Sequence, residues 1–155
     1  MKNIKSSAYL HFNEIMSVFP IRRVLEDTKK LKLFKATLIL PFLYDRHATK
    51  VLSFISESKN LEESILKFPN YFASFNDRYM NFLPITVNSI SLMKEMKMLD
   101  FDKNYIFLKD TNQWKEYENQ DLGSKTKRLI ENASLLSDIM KNTNEELYKS
   151  LRITI

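Results

Sequence analysis

Two short clusters hold the residues best suited to chemistry in this chain, Tyr44-Asp45-Arg46-His47 and Asn76-Asp77-Arg78-Tyr79. The first joins a carboxylate to an imidazole, the groups of general acid–base catalysis. Neighbouring positions on a helix do not face each other, so Asp45 and His47 are not a preformed dyad. The cluster reads better as a polar helix start in which Asp45 pairs with an arginine. In the second cluster, Asp77 and Arg78 could meet Arg46 and Asp45 across a helix pair as an intramolecular ion-pair network. The competing reading is a partner surface anchored by Tyr44, Arg46, Arg78 and Tyr79, large amphipathic residues of the kind that dominate interfaces. A third cluster, Lys125, Lys127 and Arg128, opens a helix, where the dipole disfavours positive charge. That mismatch points to an external anion or an acidic partner.

Other chemistry is excluded by composition. The 155 residues contain one glycine, Gly123, no cysteine and two histidines, His11 and His47. A phosphate-cradling loop needs several glycines, because backbone N–H groups must converge on the anion without Cβ clashes. Thiolate nucleophiles and thiolate zinc sites are absent, and a His-rich metal site cannot be assembled. No catalytic residue, metal site or cofactor is therefore expected, and the chain reads as a non-enzyme.

The net charge is +5, and residues 1–50 hold ten Lys/Arg against four Asp/Glu, so the whole excess lies in the first third. Lys29, Lys30, Lys32 and Lys35 are its densest part and the candidate DNA contacts. The bland alternative is a solvated face.

These clusters must be positioned by a mainly helical scaffold, since tight hairpins consume glycine. Asn13 caps a short helix that Pro20 stops. Residues 29–40, capped by Asp27-Thr28, fit a helical stripe through Leu31, Phe34 and Leu38, although ATLIL also suits a buried strand; helix is the favoured reading. Pro41 kinks that helix or starts a new one, and an apolar face continues to Ile55. Asn60 and Glu63 form a capping box. Aromatics from Phe68 to Phe82 recur at three and four, which places them in a core rather than in a base-stacking platform. Pro84 opens a helix over 85–98. Alternation then replaces helical spacing: Leu99 to Leu108 predicts a hairpin turning near Asp102-Lys103-Asn104. Gly123 starts the last long helix, with Leu129, Ala133, Leu136 and Met140 on its buried stripe. Thr143 caps a final turn, and the RITI tail could add a strand to the hairpin.

The fold class expected is mainly α, a helical domain with a winged-helix-like unit of helix plus β-hairpin. Residues 1–28 read as an N-terminal arm, partly ordered, and 29–155 as a single domain large enough to bury a core. No apolar run is long enough to span a membrane, and no signal peptide is expected, which points to the cytoplasm.

The order of several blocks resembles a known family. ATLILPFLYDRH, FASFNDRYMNFLPITVNSISLMKEMKMLDF, YIFL, GSKTKRLIENASLLSDIM and ELYKSLRITI are similar to the middle component of prokaryotic three-component ABC systems. The likeness is greatest to the small accessory subunit of Lamassu-type anti-phage and anti-plasmid defence. It covers roughly residues 30–155 and rests on ordered short blocks, not on a catalytic motif. The resemblance implies a subunit without chemistry of its own. It implies two partners, an SMC/Rad50-like ABC ATPase that senses foreign DNA and a nuclease-type effector, with DNA reached through the complex. The rival expectation is a free-standing winged-helix-like DNA-binding regulator. Such a regulator needs base-reading side chains, and 85–98 offers Asn88, Lys94 and Lys97 for that task.

Overall fold

A computed structural model describes residues 2–109, 123–142, 150, 151 and 153; for 2–13 and 142 it describes backbone alone. Residues 110–122 and the expected Thr143-capped turn at 143–149 lie outside the described residues.

The first helix, α1 (Lys2–Thr28), runs without a break through Pro20. The expected stop at Pro20 is therefore corrected. Val18, Ile21, Val24 and Leu25 on either side of it are buried, and burial of that stripe offsets the lost backbone hydrogen bond. The same four side chains belong to the common core. Lys29, at φ 65°, ends the helix in the left-handed region.

The next segment is a strand, β1 (Lys30–Lys32), where helix was expected. Lys-Leu-Lys alternates, with Leu31 buried. Three residues of period two are too short to stand out against the helical spacing of Leu31, Phe34 and Leu38. After it come two short helices, α2 (Leu33–Ala36) and α3 (Ile39–Leu43), the latter wholly buried. Pro41 lies inside α3. The chain continues through α4 (Ala48–Ser58), α5 (Leu61–Lys67) and α6 (Pro69–Ala73). The Glu63 N–H donates to Asn60 Oδ1 at 3.1 Å, which is the cap the sequence predicts. Pro69 stands at the first turn of α6, where its missing N–H has no helical partner to lose.

The helix α7 (Phe75–Glu95) begins nine residues before the expected start at Pro84 and carries that proline inside it. Pro84 and Met80, whose carbonyl loses its donor, are both exposed, so solvent can satisfy the freed group. Phe75, Tyr79, Ile85, Ile90 and Met93 form its buried face. Strands β2 (Leu99–Asp102) and β3 (Tyr105–Leu108) form the expected hairpin, with Lys103 at φ 56° in the turn. The sheet is antiparallel throughout in the order β1-β3-β2, with Leu31 opposite Ile106 and Ile106 opposite Phe101. A strand after the first helix that joins a later helix–hairpin is the winged-helix order of elements. The last described helix is α8 (Gly123–Asn142). It packs on α1, α3 and α4 through Leu129, Ala133, Leu136, Ile139 and Met140. Gly123 takes φ +80° at its start, a value that favours glycine. The described part of the tail forms no strand: Leu151 is buried and Ile153 packs on the core.

The aromatic block is core, as its spacing predicts. Phe42 and Phe75 meet edge to face at 4.8 Å, and the Tyr71 hydroxyl donates to the Phe42 carbonyl at 2.6 Å.

Candidate docking groove

The turn between α3 and α4 is built by Asp45. Its carboxylate accepts the His47 backbone N–H at 2.8 Å, and its carbonyl accepts the Ala48 N–H at 3.1 Å. This Asx-type turn starts α4 and leaves Arg46 and His47 exposed. The His47 ring turns toward Arg46, whose Nε donates to its Nε2 at 3.0 Å. Asp45 therefore meets the backbone of His47, not its imidazole, and the two do not form an acid–base pair.

The expected cross-helix network forms in half. Arg78 Nη1 lies 3.5 Å from Asp45 Oδ2. Arg78 also donates from Nε to the Pro41 carbonyl and from Nη2 to the Tyr71 carbonyl, each at 3.0 Å, and from Nη1 to Ser74 Oγ. Its guanidinium lies 4.4 Å from the Tyr71 ring centroid. Arg78 is thus a clamp joining α3, α6 and α7. Arg46 and Asp77 do not enter that network among the described contacts. Tyr79 is 3% exposed, with its hydroxyl 3.3 Å from Thr37 Oγ1. Of the four expected anchors, Arg78 and Tyr79 are turned into the scaffold. Tyr44 is half-buried and stacked on Phe82 at 4.8 Å, and Arg46 stands in solvent.

Arg46 is joined there by residues about eighty positions away. A cleft of about 300 Å³ lies between the 43–49 segment and the start of α8, lined by Leu43, Tyr44, Asp45, Arg46, Thr49, Lys125, Arg128, Leu129 and Asn132. Two of the three sequence clusters therefore meet in one place. Asn132 donates to Thr49 Oγ1 at 3.0 Å and ties the two walls together. Leu43 and Leu129 supply apolar surface. Arg46, Lys125 and Arg128 supply three cations against the single carboxylate of Asp45, which Arg78 already pairs. Among the described residues, none of these three cations has a carboxylate partner. Lys127 is exposed on α8 but does not line the cleft. Sequence reading missed Thr49 and Asn132. The available signal was Asn132, a polar residue at a buried position of an apolar helical stripe.

The four lysines of the basic third do not form one patch. Lys30 pairs with Asp102 at 2.7 Å and lies over the Tyr105 ring. Lys32 lies over Phe34. Lys35 turns inward and donates to the Met140 carbonyl at 2.8 Å, near the C-terminus of α8, where a cation suits the dipole. Burial, with Lys32 nearby, pushes the Lys35 amine below the usual lysine range. Lys29 is exposed beside β1. The candidate base readers are occupied too. Asn88 donates to Glu14 Oε1 at 2.9 Å, and Lys94 lies 3.5 Å from Asp100.

Among the described residues no group of His, Asp and Glu could hold a metal ion, and no helix is long and apolar enough to cross a membrane. No curated protein and no solved structure matches the chain. One family model does match, over residues 20–155, the one described as ABC-three component (ABC-3C) system Middle Component 3. Its match begins at Pro20, inside α1, so it takes in buried Ile21, Val24 and Leu25 and extends further toward the N-terminus than the likeness expected from about residue 30. With most of its length matched, the chain belongs to the ABC-three component system Middle Component 3 family, as the middle component of such a system.

Proposed function

We propose that this middle component is a non-catalytic adaptor that links an SMC/Rad50-like ABC ATPase to a nuclease-type effector in a complex directed against foreign DNA, of the Lamassu type. The cleft at Arg46, Lys125 and Arg128 is its docking surface. The observation that carries this reading is the convergence, from distant parts of the chain, of three cations that have no carboxylate partner among the described residues, beside apolar Leu43 and Leu129. Cationic anchors around an apolar floor match the composition of interface centres. Middle-component membership supplies the wider setting, since a middle component works with the other components of its system.

The regulator reading draws support from the β1-β3-β2 order alone. The outer surface of α7 weakens it: Met80 and Val87 are exposed there, and Asn88 and Lys94 are engaged within the chain. Such a surface has little with which to read base edges.

The test is co-expression of the chain with the ATPase and effector encoded beside it, then purification and mass determination. The adaptor reading expects one assembly containing all three. It also expects the purified chain alone to show neither ATP hydrolysis nor DNA cleavage. Turnover that is lost on substitution of Asp45 or Asp77 would overturn the non-catalytic assignment.

A further inference from the structure

We infer that the occupant of the cleft is an acidic peptide segment of a partner component, with carboxylates on Arg46 and Arg128 and one apolar side chain seated on Leu43 and Leu129. This rests on the adaptor reading and names the chemistry of the docked segment.

Charge complementarity sets the sign. Among the described residues, three cations face the cleft against one carboxylate. The first turn of α8 carries no acidic residue, so within that turn the partial positive charge of the helix start adds to that of Lys125. Placing Lys125 there is unfavourable for the chain alone and favourable once an anion lies over it. Both arginines present planar forks that bind carboxylates in a bidentate manner.

A nucleic-acid backbone has the same sign but fits less well, for two reasons. The first is Asp45, held in the cleft wall by the His47 N–H and by Arg78. A phosphodiester chain carries a charge at every residue and must bring one near that carboxylate. A peptide can place a neutral residue there. The second is the pair Leu43 and Leu129, both buried at the cleft. The little surface they leave open, together with the half-buried Tyr44 that lines the same cleft, finds a counterpart in a leucine or phenylalanine side chain and none in a phosphate.

The test uses the full chain and three fluorescently labelled probes. One is a synthetic peptide of alternating Asp and Glu interrupted by two leucines. The second has the same sequence with lysine for each acid, and the third is a short DNA duplex. Binding is read by polarisation for wild type, Arg46→Glu, Arg128→Glu and Lys50→Glu, an exposed cation on α4 outside the cleft. The inference expects the acidic peptide to bind wild type and Lys50→Glu alike, and the lysine peptide not to bind. Each arginine reversal should weaken the acidic peptide about tenfold or more, as charge pairs in partly desolvated interfaces do. Melting curves of the variants should match wild type. Failure of the acidic peptide to bind, equal binding by all variants, or preferential binding of the duplex that Arg46 and Arg128 control would each overturn it. Failure here is separable from failure of the adaptor role. If the assembled complex still requires Arg46 and Arg128, the docking surface stands and its occupant is different. If the complex forms without them, the docking surface itself falls.

Discussion

Arg78 is the side chain on which most of the local polar structure converges. It satisfies two carbonyls, one hydroxyl and the Asp45 carboxylate at 11% side-chain exposure. Arg78→Ala leaves those acceptors and a partly buried carboxylate without their donor, which should destabilise the fold by about 3 kcal/mol. Chemical denaturation of the isolated chain measures this, and a change below about 1 kcal/mol would show that the clamp is dispensable. The neighbouring Tyr71 makes a pH prediction. Burial holds its phenol far above the usual tyrosine range, with Asp45 pushing the same way and Arg78 opposing. Below pH ~10 both folded and unfolded chains keep the proton. Above that, the unfolded chain releases it while the folded chain does not, so stability falls as pH rises. Tyr71→Phe should flatten that alkaline decline relative to wild type, while at neutral pH it loses about 1 kcal/mol with the bond to Phe42. At this scale the sequence is informative about which residues are polar and adjacent, and Asp45 with Arg78 is legible for that reason. It is silent about direction. Whether Arg46 joins Asp77 or points away depends on the turn that Asp45 folds, and nothing in the spacing of 44–47 specifies it.

Secondary structure obeys local signals wherever those signals meet no competitor. The Asn60 cap is legible because the side chain and the Glu63 N–H are three residues apart. Asn60→Ala should cost about 1 kcal/mol, read as a lower denaturation midpoint with unchanged slope. An unchanged midpoint would mean that α5 is held by packing alone. The hairpin at 99–108 is legible because alternation resumes at Leu99 and a polar pair, Lys103-Asn104, separates the strands. The prolines mislead. Pro20 and Pro84 each remove a helical hydrogen bond, at about 3 kcal/mol by local propensity. Yet both sit inside long helices whose buried stripes, Val18 to Leu25 and Phe75 to Met93, outweigh that local term. Strand β1 is missed for the opposite reason, since its partner β3 lies more than seventy residues away and supplies nearly all of its structure.

At the scale of the whole molecule, the basic third proves less concentrated than its composition suggests. Lys30 and Lys35 are engaged within the fold, and Asp100 and Asp102 share the solvent face of the sheet with Lys30 and Lys32. DNA contact is therefore a property expected of the assembly. Lys29→Glu with Lys32→Glu should weaken DNA binding by the assembled complex and reduce its log–log salt slope by roughly 2. An unchanged slope would assign those lysines to a solvated face. The cleft at Arg46, Lys125 and Arg128 is a tertiary feature. Its two walls are legible separately as the 44–47 and 125–128 clusters, and their meeting depends on α8 crossing α4 at the Asn132–Thr49 contact. The most direct test of that cleft as the proposed docking surface is co-purification of the chain, wild type or Arg46→Glu/Arg128→Glu, with the other components of its three-component system. The double variant should keep the wild-type melting temperature and drop out of the complex. A double variant that still assembles in full stoichiometry would contradict the assignment and return the search for the interface to other surfaces of the molecule.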